Sequence, residues 1–304
     1  MSTLTGIWGK FNKNRGNAFG YGLLIPSIIV FAIFTFWPFL YTVYLSFFDW
    51  NMISPEKEFV GLRNYMEVLS DSKTYRIIGN TFLYIVLLLA INCVVPYIFA
   101  FVIDVVLKRF NGFYKSAMFL PAFISLVVGS ILFTWILNPV SGPLAIIFGW
   151  LGLEIPNWTK TQGWVILVLS LITSWKVFGY NFILLYASIN GISREVIESA
   201  RLDNVPLWRL FLQIILPMSS ATGIYVFIIT IVQSLQYVFT PVKVITQGGP
   251  DYASSNLIYH AYHEAFVVYR TGHSAAISII TMALFLILLF LEFKLVERGI
   301  YYEN

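Results

Sequence analysis

Charge is scarce in this chain. Asp, Glu, Lys and Arg make up 11% of its 304 residues, against about 25% in a soluble domain. That is too little to coat a globule of this size in water. Cysteine is reduced to Cys93, which excludes an internal disulfide; it lies in an apolar run, where a lone thiol serves as a small packing residue. The sequence has no Gly-rich phosphate loop of the Walker type, so any nucleotide chemistry has to sit on another chain. The three histidines, His260, His263 and His273, share one apolar-rich loop, and their spacing makes a poor metal site. No metal is expected.

The apolar content is correspondingly high: 58% hydrophobic and 18% aromatic, with a mean hydropathy of +0.77. A bilayer core needs roughly 20 consecutive apolar residues per span, and the sequence supplies such runs repeatedly. Six transmembrane helices are predicted, over 19–47, 77–107, 116–137, 163–189, 218–240 and 274–295, which makes an all-α membrane protein. Residues 1–18 form an N-terminal segment, and 19–304 a transmembrane domain that includes a polar loop over 190–217. The first run is too long for a secretory signal and is followed by no small-residue cleavage site. Pro26, Pro38 and Pro96 fall inside spans, where neighbouring helices or water must satisfy the backbone groups that proline frees.

Loop charge sets the orientation. Lys10, Lys13, Arg15, Lys108, Arg109, Lys115, Arg194, Arg201, Arg209, Lys294 and Arg298 fall on one side. They outnumber Lys57, Arg63, Lys73, Arg76, Lys160, Lys243 and Arg270 on the other. By the positive-inside bias both termini are expected in the cytoplasm, and the net charge of +4 reads as that bias rather than as a nucleic-acid surface. Trp37, Trp50, Trp158 and Trp164 are placed near the interfaces, as an aromatic belt requires.

The most polar cytoplasmic stretch reads ISREVIESARLDNVPLWRLFLQIILP. Ser193 suits an N-cap and Glu195 the positive first turn. Asp203-Asn204 predicts a break, because Asn tolerates a left-handed conformation. Pro206 then suits the start of a second helix, on which Leu207, Leu210, Phe211 and Ile214 form an apolar stripe. From these properties alone, an interfacial amphipathic connector remains an open reading.

The spacing of Glu198, Ala200, Asp203, Phe211, Ile214, Leu216 and Pro217 resembles the EAA loop of binding-protein-dependent ABC importer permeases. Ser199, Asn204 and Val205 depart from its usual Ala, Gly and Ala. The resemblance extends over nearly the whole chain. It includes Trp37-Pro38 and the 45–50 stretch, Phe59 to Tyr65, Leu120-Pro121 with Trp135, Asn138-Pro139 and Gly142. It continues through Trp175-Lys176, Gly179-Tyr180-Asn181, the 246–250 turn, Tyr259, Tyr262 and Gly272. The chain is similar to the six-span permeases of the maltose and glycerol-3-phosphate importer group.

That resemblance implies the type I ABC importer permease fold in a bacterial or archaeal cytoplasmic membrane. Glu198, Ala200, Asp203, Asn204, Phe211 and Pro217 would couple to the ATPase. The implied partners are a second, homologous permease, two ATPase subunits and an extracytoplasmic solute-binding protein that docks near Gly248, Gly249 and Pro250. The alternative for that turn is a tight bend with no partner. No cofactor is expected on this chain; ATP and Mg would sit on the partner ATPase, so the chain is not itself an enzyme. The solute would be a sugar or polyol, with glycerol phosphates as the alternative.

Polar residues inside the spans mark where solute would pass. At about 100° per residue, Lys176, Tyr180 and Asn181 share one side of the fourth span, and Gln233, Gln236 and Tyr237 one side of the fifth. The same groups would equally serve to bond helices together. Lys176 in particular suits a structural pairing or snorkelling. Asp104 is expected at the interface. A secondary transporter would need intramembrane carboxylates for coupling, and an intramembrane enzyme a convergent nucleophile and base; the sequence offers neither pattern.

Overall fold

The structure is a computed structural model that describes residues 22–107, 111–161 and 163–296. The predicted 1–18 segment and the basic residues Lys10, Lys13, Arg15, Lys108, Arg109 and Arg298 lie outside the described residues.

Five helices among the described residues are long and apolar enough to cross a membrane: Gly22–Leu45, Ser72–Val106, Trp164–Asn190, Ser220–Thr246 and Thr271–Glu292. A bent pair, Gly112–Phe123 and Leu126–Ile136, makes a sixth when counted as one span. We refer to them as spans 1 to 6 in chain order, the bent pair being span 3. Span 4 is the most enclosed, with 56% of its apolar window buried, whereas span 1 has none buried. Span 4 packs against spans 2 and 5 and against the first half of span 3; the end of span 1 rests on span 6.

The third span corrects the expectation of one continuous helix over 116–137, because its two halves turn through 102°. Pro121 sits in a 3-10 turn, Leu120–Phe123, after which Ile124 and Ser125 are extended. Proline offers no N–H, so the helix stops there. Carbonyls freed at such a break inside a membrane need donors, and Lys176 of span 4 supplies them. Its Nζ donates to Ala122 O at 2.9 Å and to Ile124 O at 2.7 Å. Gly179, one turn further along span 4, makes the approach possible: a Cβ there would lie 2.2 Å from the Met118 carbonyl oxygen.

Prolines elsewhere are accommodated without a break. Pro38, Pro96 and Pro217 each follow a π-helical turn, at Ala32–Phe36, Ala90–Val94 and Leu210–Ile215. Widening the turn moves the carbonyl that would clash with the proline ring.

Span 2 begins earlier than expected, at Ser72, where the Asp71 side chain accepts from Lys73 N. Span 5 runs on to Thr246 and ends where Gln247 and Gly248 take positive φ. Trp158 departs from the predicted interfacial belt. It is buried, and its Nε1 donates to Leu137 O at 2.9 Å, so it plugs the bundle between spans 3 and 4. Trp37 and Trp164 are exposed, as a belt residue requires.

Besides a small cluster of Val68, Ala276 and Ile277, two larger apolar clusters divide the interior among the described residues. One gathers Tyr97, Phe101, Ile103, Phe182, Leu185, Ile189, Ile197, Leu210 and Ile215 around the 194–218 loop. The other gathers Tyr84, Leu88, Trp158, Leu169, Ile172, Val238 and Tyr259 beneath the 247–256 turn. The two loops thus cap opposite ends of the bundle.

Candidate functional site

The 193–218 loop is a helix, a left-handed turn and a second helix. Ser193 Oγ accepts from Glu195 N at 3.3 Å and starts the helix Arg194–Leu202. At its end Asn204 has φ +54°. Asn204 N donates to Arg201 O and Val205 N to Ala200 O, both at 3.0 Å. That pair of bonds around one left-handed residue is a Schellman motif, so Asn204 fills the position where glycine is commonest. Ala200 is buried in the apolar cluster, while Glu198 and Asp203 are exposed.

The second helix, Leu207–Met218, carries the expected apolar stripe. Leu210 is buried, and Phe211 sits against the rings of Tyr97 and Phe101 at 5.8 and 5.1 Å. Leu207 is half exposed and, with Phe211 and Trp208, lines an apolar groove against Phe101, Val102 and Val106. Across the π-turn Leu210–Ile215, Phe211 and Ile214 still pack on one apolar cluster. Leu202, 83% exposed, and Trp208, 58% exposed, are uncovered. Pro217 lies at the start of the last turn, Leu216–Met218.

Asp104, expected at the interface, lies two residues before the end of span 2 and is buried there. Its two carboxylate oxygens accept from Arg194 Nη1 and Nη2, each at 3.0 Å. The carboxylate hydrogen bond raises the Arg194 pKa above its already high value. Nothing in the local sequence ties Asp104 to a residue 90 positions away.

Within the membrane, Lys176, Tyr180, Gln233 and Tyr237 line one cavity of about 270 Å³, together with Ala122 and Val177. The Tyr180 phenol lies beside those of Tyr225 and Tyr237. Gln233 Oε1 is buried there without a partner among the described residues. Lys176 commits two of its three donors to the span 3 break, leaving one for the cavity.

Asn181 and Gln236 stand apart from this cavity lining. Gln236 is exposed. Asn181 is fully buried; its Nδ2 donates to Asn92 O at 2.7 Å and to Thr230 Oγ1 at 2.9 Å. Asn92 in turn donates to Ser174 Oγ at 3.0 Å. Pro96, four residues after Asn92, leaves that carbonyl without its helical donor, and Asn181 replaces it. The knot joins spans 2, 4 and 5. Asn92 is a member that sequence inspection missed; its position four residues before a proline is the signal that would have found it.

At the opposite end, the 247–256 turn is bound to span 2. Tyr84 Oη donates to Ser254 O at 2.9 Å and Asn80 Nδ2 to Tyr252 O at 2.8 Å, and Arg76 pairs with Asp251 at 2.7 Å. Gly248 is buried at φ +80° against the Tyr259 ring; Gly249 and Pro250, joined by a cis peptide bond, are half-buried. Nearby, His273 Nδ1 lies 3.4 Å from Glu264 Oε2. Burial pushes the Glu264 pKa up, but His273, His260 and Arg270 outweigh it and hold it low. Burial keeps the His260 pKa below its ordinary value. No group of histidine, cysteine and carboxylate side chains among the described residues is arranged to hold a metal.

Comparison with known proteins agrees with this architecture. Residues 105–300 match the family described as binding-protein-dependent transport system inner membrane component. The probable ABC transporter permease protein YurN of Bacillus subtilis is 30% identical over 94% of this chain and 98% of its own. The sn-glycerol-3-phosphate transport system permease protein UgpA of Agrobacterium fabrum is 29% identical over 93% and 96%. A crystal structure of a bacterial alginate ABC transporter, in complex with alginate pentasaccharide-bound periplasmic protein, has a chain of the same fold. It superposes with a TM-score of 0.81 at 21% identity over 95% of this chain and 97% of that one. The chain belongs to the binding-protein-dependent transport system inner membrane component family and is an ABC importer permease.

Proposed function

We propose that this permease imports a sugar or related polyol, that Glu198 to Pro217 docks onto an ATPase subunit, and that a solute-binding protein delivers solute at the Gly248–Pro250 end. The observation that carries this is the 193–218 loop. It is locked internally by a Schellman turn and buried apolar residues, yet Leu202 is exposed one turn after the Glu198 carboxylate, and Leu207 and Trp208 line an open apolar groove with Val102 and Val106. Apolar groups grouped on a polar face call for a partner. The basic residues of this loop support a cytoplasmic side for it, where the ATPase pair would hold ATP and Mg. ATP binding closes that pair, the loop follows, and the spans reopen outward.

The solute class rests on the cavity between spans 3, 4 and 5. One ammonium, one amide and two phenols line it, and no carboxylate does. Such a lining suits a hydroxyl-rich solute, with ring faces to stack on and donors for oxygens. A phosphate-bearing polyol is the specific rival, favoured by the free donor of Lys176. A second permease completes the passage from the other side.

Replacing Glu198 with Lys tests the docking. We expect uptake and ATPase co-purification to be lost while the chain still inserts in the membrane; normal uptake refutes the assignment. For the cavity, Gln233→Leu should lower uptake and leave assembly intact. Loss of assembly would instead make Gln233 a packing residue. Uptake of labelled sugars against glycerol phosphates by the complete importer separates the two solute classes.

A further inference from the structure

The helix Arg194–Leu202 is joined covalently to spans 4 and 5 but not to span 2. Span 2 is nevertheless tied to it at both ends. At the start of the helix, Arg194 grips both oxygens of Asp104 at 3.0 Å, and its Nη2 also donates to Asn190 Oδ1 at 2.9 Å. At the end of the helix, Arg201 Nη2 donates to the carbonyl of Val105. Two arginines on one short helix therefore hold consecutive residues of the last turn of span 2, Val102–Val106.

The contact is stiff. A bidentate guanidinium–carboxylate pair fixes orientation as well as distance. The Asp104 side chain is 1% exposed, so water does not compete for it. Span 2 then runs back into the membrane. Asn92, in its π-turn, is bonded to Asn181. Twelve residues separate Asp104 from Asn92, about 18 Å along a helix. A displacement imposed at Asp104 therefore reaches the knot that joins spans 2, 4 and 5, next to the polar cavity.

We infer that Asp104, with Arg194 and Arg201, is a strut that imposes the movement of the docking helix on span 2. These are positioning residues, and the inference rests on the proposed docking of the 194–218 loop. Apolar packing at the same place, such as Phe211 on Phe101, permits sliding; the ion pair does not.

The test uses the complete importer reconstituted in liposomes with its ATPase subunits and loaded binding protein. Asp104→Asn keeps the side-chain volume and removes the charge, and the half-exposed Arg194 finds water. The ATPase subunits should co-purify as in the wild type and hydrolyse ATP. Solute imported per ATP should fall by about tenfold, within the range of measured couplings between sites, and Asp104→Glu should restore part of it. An unchanged ratio of solute to ATP in Asp104→Asn overturns the strut. If that variant fails to assemble, the double variant Asp104→Asn/Arg194→Gln, which leaves no charge unpaired, decides by the same ratio. If neither assembles, the pair is a folding contact and the inference falls. Import by the wild-type chain without any ATPase refutes the proposed function instead, so the two failures are distinguishable.

Discussion

The two ends of the bundle solve the same problem by opposite means. At the 247–273 end, turn backbone is satisfied from within: Asn80, Tyr84, Ser254 and Asn256 each bond a neighbouring main chain. Arg270 meets Glu67, and Thr271 N donates to Trp50 O. At the 194–218 end the loop is held by one buried ion pair and an apolar underside, with Leu202 and Trp208 left in the open. The 247–273 end also leaves Phe266, Val267, Val268 and Tyr269 exposed, so the two ends differ in what holds their backbone, not in whether apolar groups are uncovered.

The sharpest way to break this contrast is Arg194→Gln. It strands a buried carboxylate, and removing one partner of such a pair costs about 3–5 kcal/mol. Asp104→Asn should cost much less, because the guanidinium it abandons is half-exposed. Hydrogen exchange over 194–218 in the purified chain reads both; equal losses would contradict the asymmetry. Next in size, Trp208→Ala should weaken ATPase association by about 2 kcal/mol, the scale of a buried aromatic anchor, without loosening the loop. Pull-down titration measures it.

Asn204→Ala should destabilise the turn by about 1 kcal/mol, since a Cβ residue without Asn's local hydrogen bonding is strained at positive φ, while Asn204→Gly should be near neutral. The same exchange measurement tells them apart. The smallest effect belongs to the other end. Arg76→Ala removes a pair whose Asp251 partner is 80% exposed, and such pairs contribute about 0–1 kcal/mol.

That end should also respond to pH. His260 and Glu264 both have pKa values lowered by folding, so the unfolded loop binds more protons. The stability they contribute is complete above the ordinary histidine value of 6.5. It is lost first as His260 charges below that, then as Glu264 is protonated below 4.5. Amide protection over 257–273, corrected for the intrinsic slowing of exchange in acid, should fall relative to that over 194–204 as His260 becomes charged.

Much of the loop could be read directly. Ser193, Asn204 and Pro206 act through their own backbone preferences, which need no knowledge of distant residues, and each does in the structure what those preferences imply. The stripe Leu207, Leu210, Phe211 and Ile214 also faces apolar neighbours, since it too rests on local helical spacing. For the polar residues of spans 4 and 5, helical geometry put Lys176, Tyr180 and Asn181 on one side. It could not tell the cavity wall from the knot, because that depends on which neighbouring carbonyl lacks a donor.

From the sequence by itself came the membrane class, the number of spans and the family. Those follow from run lengths, charge placement and residue spacing, all local along the chain. Tertiary structure alone decided the engagement of Lys176 with the broken end of span 3 and the burial of Asp104 against Arg194. Each depends on a donor and an acceptor at least 52 positions apart, meeting where water is absent and an unpaired group is expensive. No local pattern encodes such a meeting; the packing of the spans does.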